Sequence, residues 1–257
     1  MRAVVLGSGT SMGVPVLGCD CDVCSSSDPR DQRTRVGVVV ESDDGKRVLI
    51  DTPPELRLQL LAARVRRLDA VLFTHDHADH VHGIDDLRAI SKRDGELCLY
   101  GPADTLERMG RRFDYIFDPA VIPPQGTFKP NLRRVPIEPG TEIEVAGMTV
   151  LPIALSHGVM TVYGYRFGSF AYLTDVKSVP AEAIDALRGV SVLILNALFE
   201  RPHSTHLSIP EAIDVARAVG ADRTFLTHLT HNFSHQELSD RLPDGVEPAY
   251  DGLTLTF

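Results

Sequence analysis

The chain has 257 residues, 43% of them hydrophobic, which is enough for one large domain or two small ones around a sizeable core, and it shows no repeat of fixed period. Its net charge of −9 argues against stable nucleic-acid binding; the short basic clusters Arg64/Arg66/Arg67, Arg111/Arg112 and Arg133/Arg134 read as solvated faces, of which one is available to a phosphate. No apolar run approaches transmembrane length, and Met1 to Leu6 runs into glycines without a signal-peptide pattern, so a cytoplasmic protein without a membrane partner is expected, its four cysteines serving as thiols or metal ligands.

Residues 3–6 read as a first strand, followed by a glycine-rich loop over 7–15 that can bring backbone N–H groups near an anion or serve only as a turn. It lacks the Gly-Lys-Ser/Thr ending of a nucleotide P-loop. Cys19, Cys21 and Cys24 then stand within six residues, a tridentate zinc clamp still short of a fourth ligand, or else a set of reduced surface thiols. Residues 36–41 and 47–50 read as a hairpin about Asp43-Asp44-Gly45. Asp51 ends the second strand, where it acts either as an acceptor for a metal-bound histidine or as a cap of the helix that Pro53-Pro54 opens.

The densest chemistry is Thr74-His75-Asp76-His77-Ala78-Asp79-His80, between a strand-like run at 68–73 and an amphipathic helix at 84–90. Three imidazoles and two carboxylates on a strand-to-helix loop offer a divalent metal the nitrogen and oxygen donors it needs. Cys98, in a strand over 96–100, reads as core. A helix over 104–112 follows. Residues 113–128, with aromatics and Pro123-Pro124, fit a substrate lid, a dimer contact or core packing, so a homodimer stays open. Strands are expected at 133–136, 142–145, 148–155, 161–167 and 171–173, with His157 and Asp175 just past two strand ends. The last third alternates: helix 181–187, strand 190–195, a loop with His203 and His206, helix 209–219, strand 224–226, then His228 and His231, a helix over 235–241 and two closing strands. His82 and His235 are expected at the surface.

The placement of His75, His77, Asp79, His80, His157, Asp175 and His228 after successive strands resembles the metallo-β-lactamase superfamily, whose His-x-His-x-Asp-His motif stands here without departure. The resemblance spans nearly the whole chain. It implies an α/β fold, an αββα four-layer sandwich, as one hydrolase domain over residues 1–257 with a zinc-clamp loop at about 18–25. It implies two divalent cations, manganese or zinc foremost: His75, His77 and His157 on one, Asp79, His80 and His228 on the other, Asp175 between them. The Cys19/Cys21/Cys24 cluster and His231 are similar to the structural zinc site of the phosphoribosyl cyclic phosphodiesterases of the PhnP type, and His206 matches that group's catalytic histidine.

That likeness implies a small phosphorylated sugar or nucleotide as substrate, foremost 5-phosphoribosyl 1,2-cyclic phosphate hydrolysed to ribose 1,5-bisphosphate. A water shared and deprotonated between the cations would attack phosphorus, with Asp79 in the machinery and His206 as acid. Four other readings compete. A tRNA 3′-processing endonuclease is disfavoured by the acidic charge and the lack of a long basic insertion. A thioester hydrolase of the glyoxalase II type has neither the Cys clamp nor the His206 segment. A flavodiiron oxidoreductase would need a glutamate at His77 and a further domain. A zinc-stabilised scaffold with a vestigial site sits badly with seven intact ligands.

Overall fold

The computed structural model describes all 257 residues. Its first half contains β1 (Arg2–Gly7), β2 (Gly37–Glu41), β3 (Arg47–Ile50), α1 (Leu56–Ala62), β4 (Ala70–Leu72), α2 (Ala78–Val81), α3 (Arg88–Asp94), β5 (Leu97–Gly101), α4 (Ala103–Arg112), α5 (Asp114–Phe117) and β6 (Leu132–Pro136). The second half contains β7 (Ile143–Val145), β8 (Met148–His157), β9 (Met160–Phe167), β10 (Phe170–Leu173), α6 (Ala181–Ala186), β11 (Val192–Asn196), α7 (Ile209–Val219), β12 (Arg223–Thr227), α8 (His235–Arg241), β13 (Val246–Pro248) and β14 (Thr254–Thr256). The strands form two seven-stranded sheets, in the orders β14-β1-β2-β3-β4-β5-β6 and β13-β12-β11-β10-β9-β8-β7.

Strand alternation explains the layering. In β2 and β3, Val38, Val40, Val48 and Ile50 face the second sheet and meet Tyr163, Tyr165, Phe167, Phe170 and Tyr172 there. The residues between them, Val39 and Leu49, face the opposite way and pack under Leu56, Leu60, Val81, Leu87 and Leu106 of the flanking helical segments. Strands β10 and β11 behave alike: Ala171, Leu173, Leu193 and Leu195 are covered by Ala183, Leu187, Ile209, Ala212 and Leu238. Strands buried on both faces read as near-continuous apolar runs, which is why Val-Val-Val and Leu-Ile-Leu occur in them. The result is the expected αββα sandwich.

Within the first sheet β3, β4, β5 and β6 are parallel, and within the second β10, β11, β12 and β13 are parallel. Parallel strands place their C-terminal ends, and the loops that leave them, along one rim. The helix over 84–90 is split into a 3-10 turn at Ile84–Leu87 and then α3. His157 is the last residue of β8 itself, not a residue beyond it.

Two burial expectations need correction. Cys98 is half-exposed, with its Sγ accepting from Arg133 Nη2 at 2.9 Å. It shares the inter-sheet face of β5 with Tyr100, but β5 and β6 lie at the end of their sheet, where the covering layer thins. His235 is 6% exposed: its backbone N–H donates to Asp31 Oδ1 at 2.6 Å and its ring lies edge-on to Tyr250. His82 is exposed, as expected. Residues 113–128 lie beside α2 and α3, with Tyr115 O–H donating to Asp85 Oδ1 at 2.9 Å and Ile122 83% exposed.

Candidate metal centres

Three loops leave parallel strands through a left-handed residue that is not glycine. Asp51 after β3 has φ 62°, Asp175 after β10 has φ 56° and His228 after β12 has φ 60°. Such a conformation costs an ordinary residue of order ~1–3 kcal/mol and persists where the surroundings enforce it. Each of the three is buried; Asp175 and His228 bring their side chains into one cleft at the strand ends, and Asp51 lies behind it against Thr74 and His80. Asn196 at the end of β11 holds the Asp175 turn by accepting from Val176 N–H at 2.7 Å and donating to Val176 O at 3.2 Å.

The cleft gathers the expected histidines. Donor atoms of His75, His77, His157 and Asp175 lie within 4.8 Å of one another, and those of Asp79, His80 and His228 do the same. Asp175 sits between the groups: its Oδ2 is 3.9 Å from His75 Nε2 and 3.4 Å from His228 Nε2, and its Oδ1 is 3.2 Å from His80 Nε2. His206 Nε2 lies 3.1 Å from Asp175 Oδ2, on the same carboxylate.

Most of these rings are oriented from behind. His80 Nδ1 faces Asp51 Oδ2 at 2.7 Å, His75 Nδ1 faces Thr74 Oγ1 at 2.9 Å, and His157 Nδ1 donates to Thr205 O at 2.8 Å. Asp51 also accepts from Thr74 N–H at 2.9 Å and from its hydroxyl at 2.8 Å, so it serves as a histidine partner and not as a helix cap. The Thr205 hydroxyl lies 2.9 Å from His206 Nδ1 and 3.2 Å from His203 Nδ1, placing it between the two rings.

The Nε2 atoms of His75, His80 and His228 are buried with no hydrogen-bond partner, although all three point into the cleft. Buried polar atoms are rarely left unpaired, and an imidazole nitrogen beside carboxylates is a good donor to a divalent cation. The charges agree. Burial pushes the His75 imidazole well below its usual pKa, with His80 adding to the effect, which keeps it neutral as a ligand must be. Burial also opposes charge on His80, but Asp175, Asp79 and Asp51 outweigh it and raise that imidazole well above its usual range. Negative charge is therefore in surplus where a cation would neutralise it. The residues present fit divalent metals.

The second centre lies at the end of the glycine-rich loop. Cys19, Cys21 and Cys24 each place Sγ 3.4 Å from His231 Nδ1. A tetrahedral zinc with bonds of ~2.3 Å to sulfur and ~2.0 Å to nitrogen would separate such atoms by roughly 3.5 Å, so the four donors fit it. The Cys24 backbone N–H and then the His231 ring pull the Cys21 thiol down to about 6, against the effect of burial. Burial pushes Cys24 up to about 11.

Sequence reasoning missed the frame beneath this clamp. Arg33 is 1% exposed and donates to Asp31 Oδ1 at 3.1 Å, to Phe233 O at 2.9 Å and to Thr230 O. It thereby grips the backbone on both sides of His231. Gly9 pairs with Leu229, and Leu229 N–H donates to Ser8 O at 2.9 Å, tying the glycine-rich loop to the segment that carries His228. The loop's demonstrable role is thus to brace that segment.

Residues 46–229 match the model of the beta-lactamase superfamily domain. A Porphyromonas gingivalis protein named octanoyltransferase is 42% identical over 255 residues, a match that covers 98% of this chain but only 51% of that protein, so the chain spans about half its length. A crystal structure of a new diphosphatase from the PhnP family superposes with a TM-score of 0.91 at 41% identity, covering 100% of this chain and 97% of that one. The Zn(2+)-bound PqqB from Methylobacterium extorquens shares the fold, with a TM-score of 0.83 at 20% identity over 100% of both chains.

Proposed function

The chain belongs to the metallo-β-lactamase superfamily, and on that premise we propose that it is a dinuclear phosphodiesterase acting on a small phosphorylated sugar or nucleotide, a cyclic ribose phosphate foremost. The observation that carries the reading is His206 Nε2, 3.1 Å from the Asp175 carboxylate that lies between the two donor groups. It sets an imidazole beside the position where a phosphate would react.

In this reading His75, His77 and His157 would hold one cation and Asp79, His80 and His228 the other, with Asp175 lying between the two donor groups. Two divalent cations bound there supply Lewis acidity to phosphate oxygens and lower the pKa of water. The chain's own residues do the rest. Asp51, Thr74 and the Thr205 carbonyl fix the imidazole rings before substrate arrives, so no reorganisation is needed during the reaction. The Thr205 hydroxyl holds the His206 ring, leaving Nε2 to give a proton to the departing oxygen. Asp79, 9% exposed, keeps its carboxylate ionised: burial opposes this, but His80 and His228 hold its pKa well below the usual range. Cys19, Cys21, Cys24 and His231 hold a structural zinc that fastens the N-terminal loop to the segment bearing His228.

Within this class the proposed substrate is 5-phosphoribosyl 1,2-cyclic phosphate, giving ribose 1,5-bisphosphate. A second reading, cleavage of a diphosphate linkage, is favoured by the name of the 41%-identical PhnP-family structure. Both reactions displace an oxygen from phosphorus, but the sugar hydroxyl of the cyclic ribose phosphate needs a proton from His206 more than a departing phosphate does. Turnover of the cyclic ribose phosphate, of 2′,3′-cyclic nucleotides and of a diphosphate-linked nucleotide by one metal-loaded preparation separates them. Preference for the cyclic sugar supports the first reading and preference for the diphosphate selects the second. Failure to cleave any of the three, with both cations bound, overturns both.

A further inference from the structure

The histidines of the first donor group are not all fixed in the same way. The His75 ring is held by Thr74 and the His157 ring by the Thr205 carbonyl. The His77 ring has no such partner and only packs against the rings of His75 and His157, at centroid distances of 4.5 and 5.1 Å. Its backbone, by contrast, is gripped one residue earlier. Asp76 is 5% exposed and lies against α4. Its Oδ1 accepts from Arg108 Nε at 2.9 Å, its Oδ2 accepts from Arg112 Nη2 at 3.2 Å, and its carbonyl accepts from Arg112 Nη1. Arg108 and Arg112 stand four residues apart, hence on one face of the helix, and Asp104 braces Arg108 at 2.9 Å.

We infer that Asp76, Arg108 and Arg112 form an ionic clamp that positions His77 for the cation shared with His75 and His157. The inference rests on the proposed assignment of that cation to those three histidines. Asp76 lies between two ligands of one group, and its two guanidinium partners come from an element that supplies no ligand itself. Asp51 orients His80 of the second group and reaches the first group only through Thr74 and His75, not His77, and the cysteine clamp is braced separately by Arg33. The Asp76 clamp therefore acts on one cation out of three. Its arginines are 34% and 38% exposed at their side chains, so solvent screens their contribution to global stability. A small displacement of the 75–77 backbone nevertheless moves His77 off its ligand position, because no side-chain hydrogen bond steers that ring.

The test reads metal content, not turnover. Wild-type protein loaded with zinc is dialysed against graded chelator and its metal-to-protein ratio is measured, beside Asp76→Asn, Arg108→Met, Arg112→Met, Arg112→Lys and Arg111→Met. Arg111 lies on the exposed side of the same helix and serves as a control. The clamp predicts that Arg112→Met and Asp76→Asn release one cation at about 10-fold lower chelator, the low end for residues that orient ligands from outside. The other two cations stay, Arg112→Lys recovers part of the loss, and Arg111→Met matches wild type. Equal retention in wild type, Arg108→Met and Arg112→Met overturns the clamp. So does simultaneous loss of all three cations together with a lowered melting temperature, the mark of general destabilisation. A wild type that never holds more than two cations overturns the assignment beneath it instead.

Discussion

His80 Nδ1 and Asp51 Oδ2 lie 2.7 Å apart, and both residues are fully buried at the rim where β3 and β4 end. The left-handed φ of 62° at Asp51 aims its carboxylate at both His80 and Thr74. Asp51→Ala removes the partner of three buried donors, the Thr74 N–H, the Thr74 hydroxyl and the His80 ring, and should cost about 1–3 kcal/mol of stability. It should also weaken retention of the cation at Asp79, His80 and His228 by about 10–100-fold. Urea unfolding and chelator titration of the same variant check both figures; unchanged metal retention would remove Asp51 from the site.

Arg33 and Asp31 are an ion pair with side chains 1% and 3% exposed. Burial lowers the Arg33 pKa, and Asp31 opposes that effect. Arg33→Met leaves the buried Asp31 carboxylate without its cation and the carbonyls of Thr230 and Phe233 without this donor. The expected loss is about 3–5 kcal/mol, the range for breaking one half of a buried pair. Denaturant midpoints measure it, and a loss below about 1 kcal/mol, the level of an exposed pair, would show that the frame is not what holds the His231 segment.

The cysteine clamp joins positions 19–24 to His231, more than 200 residues away in the chain. Cys21→Ser should reduce tightly held zinc by one equivalent per chain. Because metal binding to such a site is coupled to folding, the melting temperature should fall too. A loss of about 2 kcal/mol would lower it by roughly 4–8 °C in a chain of this size. Full zinc content, or an unchanged melting temperature, would argue against a stapling role.

What the sequence made legible follows from where information is local. The His75-to-His80 segment is one contiguous loop, and strand-like runs before Asp51, Asp175 and His228 place all three at strand ends, where the parallel sheet edges bring them together. The αββα layering was readable for a similar reason, since strands covered on both faces are written as apolar runs. The orienting groups were not legible. Thr205 and Asn196 act through a few hydrogen bonds to residues on neighbouring turns, and an isolated Thr or Asn has no periodic signature. Arg33 looks like any surface arginine until its partners from 230 and 233 are brought beside it. The same distance effect accounts for His235, whose burial depends on Asp31 and Tyr250, and for Cys98, whose apolar strand lies where the covering layer thins. The three left-handed residues were hidden because neither Asp nor His advertises a positive φ as glycine does.

If His206 gives its proton to the departing oxygen, its importance should track the leaving group. His206→Ala should lower kcat by about 10²–10⁴-fold on a substrate with a sugar hydroxyl leaving group. On an activated nitrophenyl phosphodiester, whose leaving group needs no proton, the loss should be much smaller. Equal losses on both substrates would assign His206 to binding or metal retention.

The measurement that bears most directly on the account is kcat for hydrolysis of 5-phosphoribosyl 1,2-cyclic phosphate by manganese-loaded wild type and His206→Ala, with metal content determined on the same samples. The account predicts rapid turnover by wild type and a loss of about 10²–10⁴-fold in the variant at unchanged metal content. Full activity in the variant, or a loss that merely follows departing metal, would contradict it.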